Sequence, residues 1–245
     1  MFGDLLDLIG ARLDISAAEW PAKVAPDVPL VMIANHPFGI GDGIVILALA
    51  EQLNRPYRIL IYNDVLRTPE IRPFGLPVDF SETREAIRTN LETRAEARRL
   101  LKDGVTIIVF PAGGVATADH PFGKAEELPW KTFTARLIQQ AEASVLPIYF
   151  EGQNSALFHF VSRYSVTLRL SLLMSEFRRR LGATVKVHVG RVLPYDGLTY
   201  KTDRRQLTAE LYDKVHELAP GATNSTPART RLQYHWERLR RSEPA

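Results

Sequence analysis

The sequence predicts an α/β domain built on a mixed, mostly parallel central sheet flanked by helices. Two observations carry that expectation. Short, apolar, β-prone runs recur at 29–34, 57–62, 105–110, 144–150 and 184–190, and segments of helical spacing separate most of them. Three of these runs open directly into loops of glycine, proline or polar residues: HPFGIGDG after the first, PAGG after the third and EGQNS after the fourth. Loops at the ends of strands are where open α/β sheets bind their ligands.

Taken in order, Leu5, Leu6, Ile9 and Leu13 recur at helical spacing and predict a helix over 4–13. PLVMIA (29–34) is a strand, residues 43–53 a helix and YRILIY (57–62) a second strand. Residues 81–102 form a long helix with Ile87, Leu91, Ala95 and Leu101 on its apolar side, Ser81 as its cap and Gly104 as its stop. VTIIVF (105–110) reads as a buried strand, 130–142 as a helix, and SVLPIYF (144–150) as a strand. Residues 156–181 are mostly helical and apolar, TVKVHVG (184–190) alternates as a half-buried strand does, and 202–218 is a last helix. The expected organisation is an N-terminal helical segment (1–28), one domain (29–219), and a linker with a basic tail (220–245).

A chain of 245 residues suffices for one domain with a sizeable core. Without cysteine it has no disulfide, thiolate zinc site or cysteine nucleophile. Acidic residues in MFGDLLDLIGARLD stand where a signal peptide needs a basic region, and the apolar stretch Ile44–Ala50 is too short to span a bilayer. A cytoplasmic location is the expectation. A net charge of +3 argues against a general nucleic-acid binder. The tail ARTRLQYHWERLRRS nevertheless mixes arginines with Tyr234 and Trp236, which suits an anionic membrane surface as well as it suits a solvated helix.

The loop IANHPFGIGDGI (33–44) tempts a phosphate-binding reading, but Ile44 stands where the third glycine of G-x-G-x-x-G belongs, and no Walker lysine follows. His36 follows a strand and precedes Pro37, which holds it extended at the strand end. The glycines allow Asp42 to fold back to the imidazole, giving a general base with a carboxylate partner. The bland alternative makes Asp42 a helix cap and His36 a satisfied polar residue. FPAGGVAT (110–117) offers backbone N–H donors for an oxyanion or phosphate, or is a plain turn. EGQNS (151–155) places Glu151 and Asn154 where a head group might lie, though Glu151 also suits the surface.

NHPFGIGDG, then FPAGG some seventy residues on, then LPIYFEGQNSALFH together resemble the lysophospholipid acyltransferase (PlsC-like) superfamily. The narrower resemblance is to its hemolysin-like or ornithine-lipid-type branch, over roughly residues 29–195. The resemblance implies a glycerolipid acyltransferase-like fold and O-acyl transfer from acyl carrier protein or coenzyme A to a lysolipid hydroxyl, within phospholipid biosynthesis. It implies no cofactor and no metal. His36 matches the family's catalytic histidine and Asp42 its partner. Phe110, Pro111 and Gly113 match the block shaping the acceptor pocket, and Ala112 and Gly114 lie within it. Asn35, Phe38, Gly39, Glu151 and Asn154 join the expected substrate-binding set.

The chain departs from the family pattern at several points. Five residues separate His36 from Asp42 where four are usual. Ala112 replaces the glutamate after Phe-Pro, Gly114 and Val115 replace threonine and arginine, and Arg84 is the nearest arginine beyond FGLPVDF. The missing groups would hold an acceptor phosphate, so a lyso-aminolipid fits better than lysophosphatidate. The N-terminal helix, Phe158, Phe160 and the helix around Leu168–Leu173 are candidates for a peripheral membrane contact on the inner face, with Arg163 and Arg169 at head groups, although most of these apolar positions read as core. Two other readings are a catalytically degenerate lipid- or protein-binding module and an acyl hydrolase using the same pair. No G-x-S-x-G elbow supports a serine hydrolase.

Overall fold

The computed structural model describes residues 1–162 and 166–222. Arg163 and the tail beyond 222, with Tyr234 and Trp236, lie outside the described residues. Among those described, seven strands form one sheet: β1 (Arg12–Ala17), β2 (Leu30–Ala34), β3 (Tyr57–Tyr62), β4 (Gly75–Val78), β5 (Thr106–Val109), β6 (Ser144–Phe150) and β7 (Thr184–Val189), in the order β1-β7-β6-β2-β5-β3-β4. Every neighbouring pair is parallel except β6–β7. The mixed, mostly parallel sheet is therefore as the sequence predicts.

β2 is central and buried at all five positions, as expected of a strand covered on both faces. Its side chains alternate between two cores. Leu30, Met32 and Ala34 pack with α2 (Ile40–Gln52) and α1 (Phe2–Leu8), whereas Val31 and Ile33 face α3 (Arg84–Lys102), α4 (Phe133–Ala141) and α7 (Arg204–His216). The result is a three-layer α/β/α sandwich. α5 (Ala156–Ser162) and α6 (Val166–Arg179) lie between β6 and β7 and are tied to the loops at the carboxyl edge of the sheet. Because this connection stays at that edge, β7 starts there and runs back antiparallel to β6.

The N-terminal expectation is corrected. Leu13 belongs to β1, which pairs with β7 from Arg12↔Thr184 to Ala17↔Val189. Residues 1–28 thus contribute a strand to the common sheet, and Phe2 and Leu6 of α1 are core residues packed with α2, not a membrane face. On α3 the cap is Thr83, whose hydroxyl accepts the Ala86 N–H, and the buried face is Ala86, Thr93, Ala97 and Leu101; Ile87 and Leu91 face solvent. Small residues win that face because the helix packs close against β4 and β5.

Candidate active site

Three loops meet where β2, β5 and β6 end: 35–39, 110–116 and 151–155. Asn35 fixes the first. Its buried amide donates to the Phe150 carbonyl at 2.9 Å and accepts the Phe150 N–H at 2.7 Å. That pair extends the β2–β6 contact past the strand and engages both ends of the Asn35 amide. His36 is then held by both backbone groups: its N–H donates to Glu127 Oε1 at 3.0 Å, and its carbonyl accepts the Ala116 N–H at 2.8 Å.

Side-chain placement follows from the helix start. Gly39, at φ +83°, precedes α2, and a β-carbon there would lie 2.8 Å from a Leu173 methyl, so the turn admits glycine alone without strain. The turn brings Asp42, in the first turn of α2 and fully buried, back over the loop. One carboxylate oxygen accepts the Phe38 N–H at 2.8 Å; the other lies 3.0 Å from His36 Nδ1. Neither Nδ1 nor that oxygen has a hydrogen bond to any other group among the described residues. Gly39 is the N-cap of α2 and no side chain caps it, so the Asp42 carboxylate instead braces the loop through Phe38 and meets the imidazole. Phe110 stacks on the imidazole at 4.0 Å and 22°. With Nδ1 turned to a carboxylate, Nε2 on the opposite edge of the ring carries the free lone pair.

The PAGG loop spends two of its N–H groups internally: Gly113 donates to Phe110 and Ala116 to His36. Among the described residues, the N–H groups of Gly114 and Val115 make no hydrogen bond. Pro111 and Ala112 are buried, so this loop presents backbone rather than side chains.

α6 reaches all three loops from one face. Arg169 donates to the Val115 carbonyl (2.9 Å), Leu173 packs on Gly39, and Glu176 accepts from Ser155 N–H (3.0 Å) and its hydroxyl. Arg180, just past the helix, donates to the Gln153 carbonyl (2.7 Å) and lies over the Phe38 ring at 3.6 Å. Phe38 is buried between that guanidinium and Gly152, a packing position. Burial lowers the Arg180 pKa from its ordinary value, with Glu176 and Asp42 opposing the shift.

Three expectations change. Arg84 is exposed at the start of α3 and makes no hydrogen bond or ion pair among the described residues; the residue this block sends to the glycine loop is Phe80, against Gly113. Glu151 pairs with His188 (3.3 Å) and Lys186 (3.4 Å) on β7, and the His188 contact first of all holds its carboxyl below the usual range. Arg169 points inward to Val115 rather than outward to head groups. Asn154 is buried near α5 with its amide unpartnered. Sequence reasoning missed Glu127, which also contacts Trp130 Nε1 (3.2 Å) and His216 Nε2 on α7 (3.3 Å). Nothing local marks its reach to the site, since His36 and His216 are both distant from it in sequence. Among the described residues no three His, Asp or Glu side chains are grouped to hold a metal ion.

This sheet, with its helices on both faces, is the fold of the PlsC acyltransferases. The 1-acyl-sn-glycerophosphate (LPA) acyltransferase PlsC from Thermotoga maritima superposes with a TM-score of 0.54 over 92% of this chain and 78% of its own, at 19% identity. The chain belongs to the acyltransferase family: the model of that family, described as Acyltransferase, matches residues 19–151, more than half of its length. Relatives in sequence are two proteins named lyso-glycine lipid O-acyltransferase. The one from Phocaeicola vulgatus is 22% identical over 225 residues, covering 87% of this chain and 75% of the relative. The one from Bacteroides thetaiotaomicron is 23% identical over 232 residues, covering 87% and 80%.

Proposed function

We propose that this acyltransferase moves a fatty acyl group from an acyl thioester, on acyl carrier protein or coenzyme A, to the hydroxyl of a lysolipid whose head group carries no phosphate. The names of the two sequence relatives support an acceptor of the lyso-glycine lipid type. The observation that carries the mechanism is the 3.0 Å contact of His36 Nδ1 with Asp42, which leaves Nε2 free. Nε2 takes the acceptor's hydroxyl proton as the oxygen attacks the thioester carbonyl. The tetrahedral intermediate collapses, the carbon–sulfur bond breaks, and the imidazolium returns the proton to the departing thiolate. The unspent N–H groups of Gly114 and Val115 are the donors assigned to the oxyanion.

The site works at a membrane surface in this reading, on the cytoplasmic side. Among the described residues no helix is long and apolar enough to cross a bilayer. α5 and α6, which cover the loops, expose Leu157, Phe160, Leu168 and Met174, an apolar face that supports peripheral docking; Phe158 is core. The test is to supply an acyl thioester with and without lyso-glycine lipid and analyse products by mass spectrometry. Acceptor-dependent acylation supports the proposal. Free fatty acid alone indicates a hydrolase, and no turnover a binding module; either overturns it.

A further inference from the structure

The backbone of the reacting histidine is held by a buried carboxylate. Glu127 stands 91 residues from His36 in sequence, and its side chain is only 6% exposed. Its segment is tied on both sides to the loop that carries Gly114 and Val115. Glu126 and Thr117 exchange backbone hydrogen bonds at 2.9 and 3.0 Å, and the Lys131 N–H donates to the Pro111 carbonyl at 3.1 Å. From that frame the carboxylate meets three donors with two oxygens. Oε1 accepts the His36 N–H at 3.0 Å, and Oε2 faces the buried Trp130 Nε1 at 3.2 Å and His216 Nε2 at 3.3 Å. His216, in the last turn of α7, has Nδ1 2.9 Å from the Tyr212 carbonyl and its ring stacked on Tyr212 at 3.8 Å. A carbonyl only accepts, so Nδ1 carries a hydrogen, and the Nε2–Oε2 contact needs one further proton between its two atoms. A carboxylate bound in this way grips a backbone N–H more tightly than a neutral carbonyl would.

We propose that Glu127 is a positioning residue for His36, with His216 holding its carboxylate in place, an inference that rests on the acyl-transfer reading above. Neither acts on the substrates directly. Anchored on the 110–117 loop and bonded to the His36 N–H, Glu127 fixes two things at once. One is the direction in which the His36 side chain leaves the backbone. The other is the spacing between the imidazole and the Gly114 and Val115 N–H groups. Base and oxyanion donors must keep that spacing for transfer, whereas Asp42 sets the rotation and tautomer of the ring.

The test is kcat and KM for both substrates in Glu127→Gln, beside the backbone amide proton shift of His36 measured by NMR in the substrate-free protein. Glutamine keeps the volume but offers one oxygen to three donors, so the brace is lost with little change in packing. The variant should lower kcat about tenfold or more, keep each KM within about twofold, and move the His36 amide proton upfield. His216→Gln, which leaves Glu127 intact, should move the same resonance and lower kcat by less. Wild-type kcat in Glu127→Gln, an unmoved His36 resonance, or a loss confined to KM overturns the proposal. A His216→Gln protein identical to wild type in both readouts overturns the part assigned to His216. Failure of the wild type to acylate lyso-glycine lipid at all would instead overturn the proposed function, and the amide shift would still test the brace.

Discussion

Replacing Asp42 by asparagine separates its two roles. The side chain is fully buried, with one oxygen on the Phe38 N–H at 2.8 Å and the other 3.0 Å from His36 Nδ1. Asparagine keeps the volume and one carbonyl oxygen, which suffices for Phe38. Its NH2 then faces Nδ1, so the imidazole must accept there and carry its hydrogen on Nε2, where the base needs a lone pair. The imidazolium formed during transfer also loses a negative charge at 3.0 Å, about 5 kcal/mol at an effective dielectric near 20. Together these predict that kcat falls by about 10³–10⁴-fold, while stability changes by about 1 kcal/mol or less. The assay is steady-state acyl transfer at saturating donor, beside thermal melting. A folded Asp42→Asn protein that keeps kcat within about tenfold of wild type would refute the reasoning.

Three further outcomes follow from the geometry. Asn35→Ala deletes both buried hydrogen bonds to Phe150 and should cost about 2–4 kcal/mol in denaturant unfolding. Gly39→Ala combines positive φ with a 2.8 Å approach to Leu173, so it should lose about 1–3 kcal/mol and slow transfer by displacing α6 from the loop. Glu151→Gln should leave kcat/KM within about twofold, because its carboxylate is spent on an exposed lysine and a half-buried histidine of β7. Since those partners depress the Glu151 carboxyl, whatever stability it contributes is present at neutral pH and is lost as pH falls through the carboxylate range, a trend the variant should lack in acid-denaturation curves.

The strands legible in the sequence were those buried on both faces, where runs such as LVMIA and TIIV leave little choice of element. β1 was hidden because Leu13 completes a helical pattern begun by Leu5, although Leu13, Ile15 and Ala17 also alternate as an edge strand does. β4 has four residues and contains Pro77, a weak signal suited to an edge strand. The pairing of His36 with Asp42 was readable because the two residues lie on one turn. The α6 face of Arg169, Leu173 and Glu176, and the reach of Glu127 to the His36 backbone, depend on contacts across 21 to 134 residues of chain. Local pattern carries no trace of such contacts. Arg84 is the converse case: it lies close in sequence to FGLPVDF, but the tip of that block turns Phe80, not an arginine, toward the glycine loop.

The central claim, that His36 takes the acceptor's hydroxyl proton, is tested most directly by His36→Ala. Acyl transfer to lyso-glycine lipid is followed by mass spectrometry, with circular dichroism to check the fold. The account predicts a folded protein whose transfer rate is lower by at least about 10²–10⁴-fold. A folded His36→Ala protein with wild-type acyl transfer would contradict it.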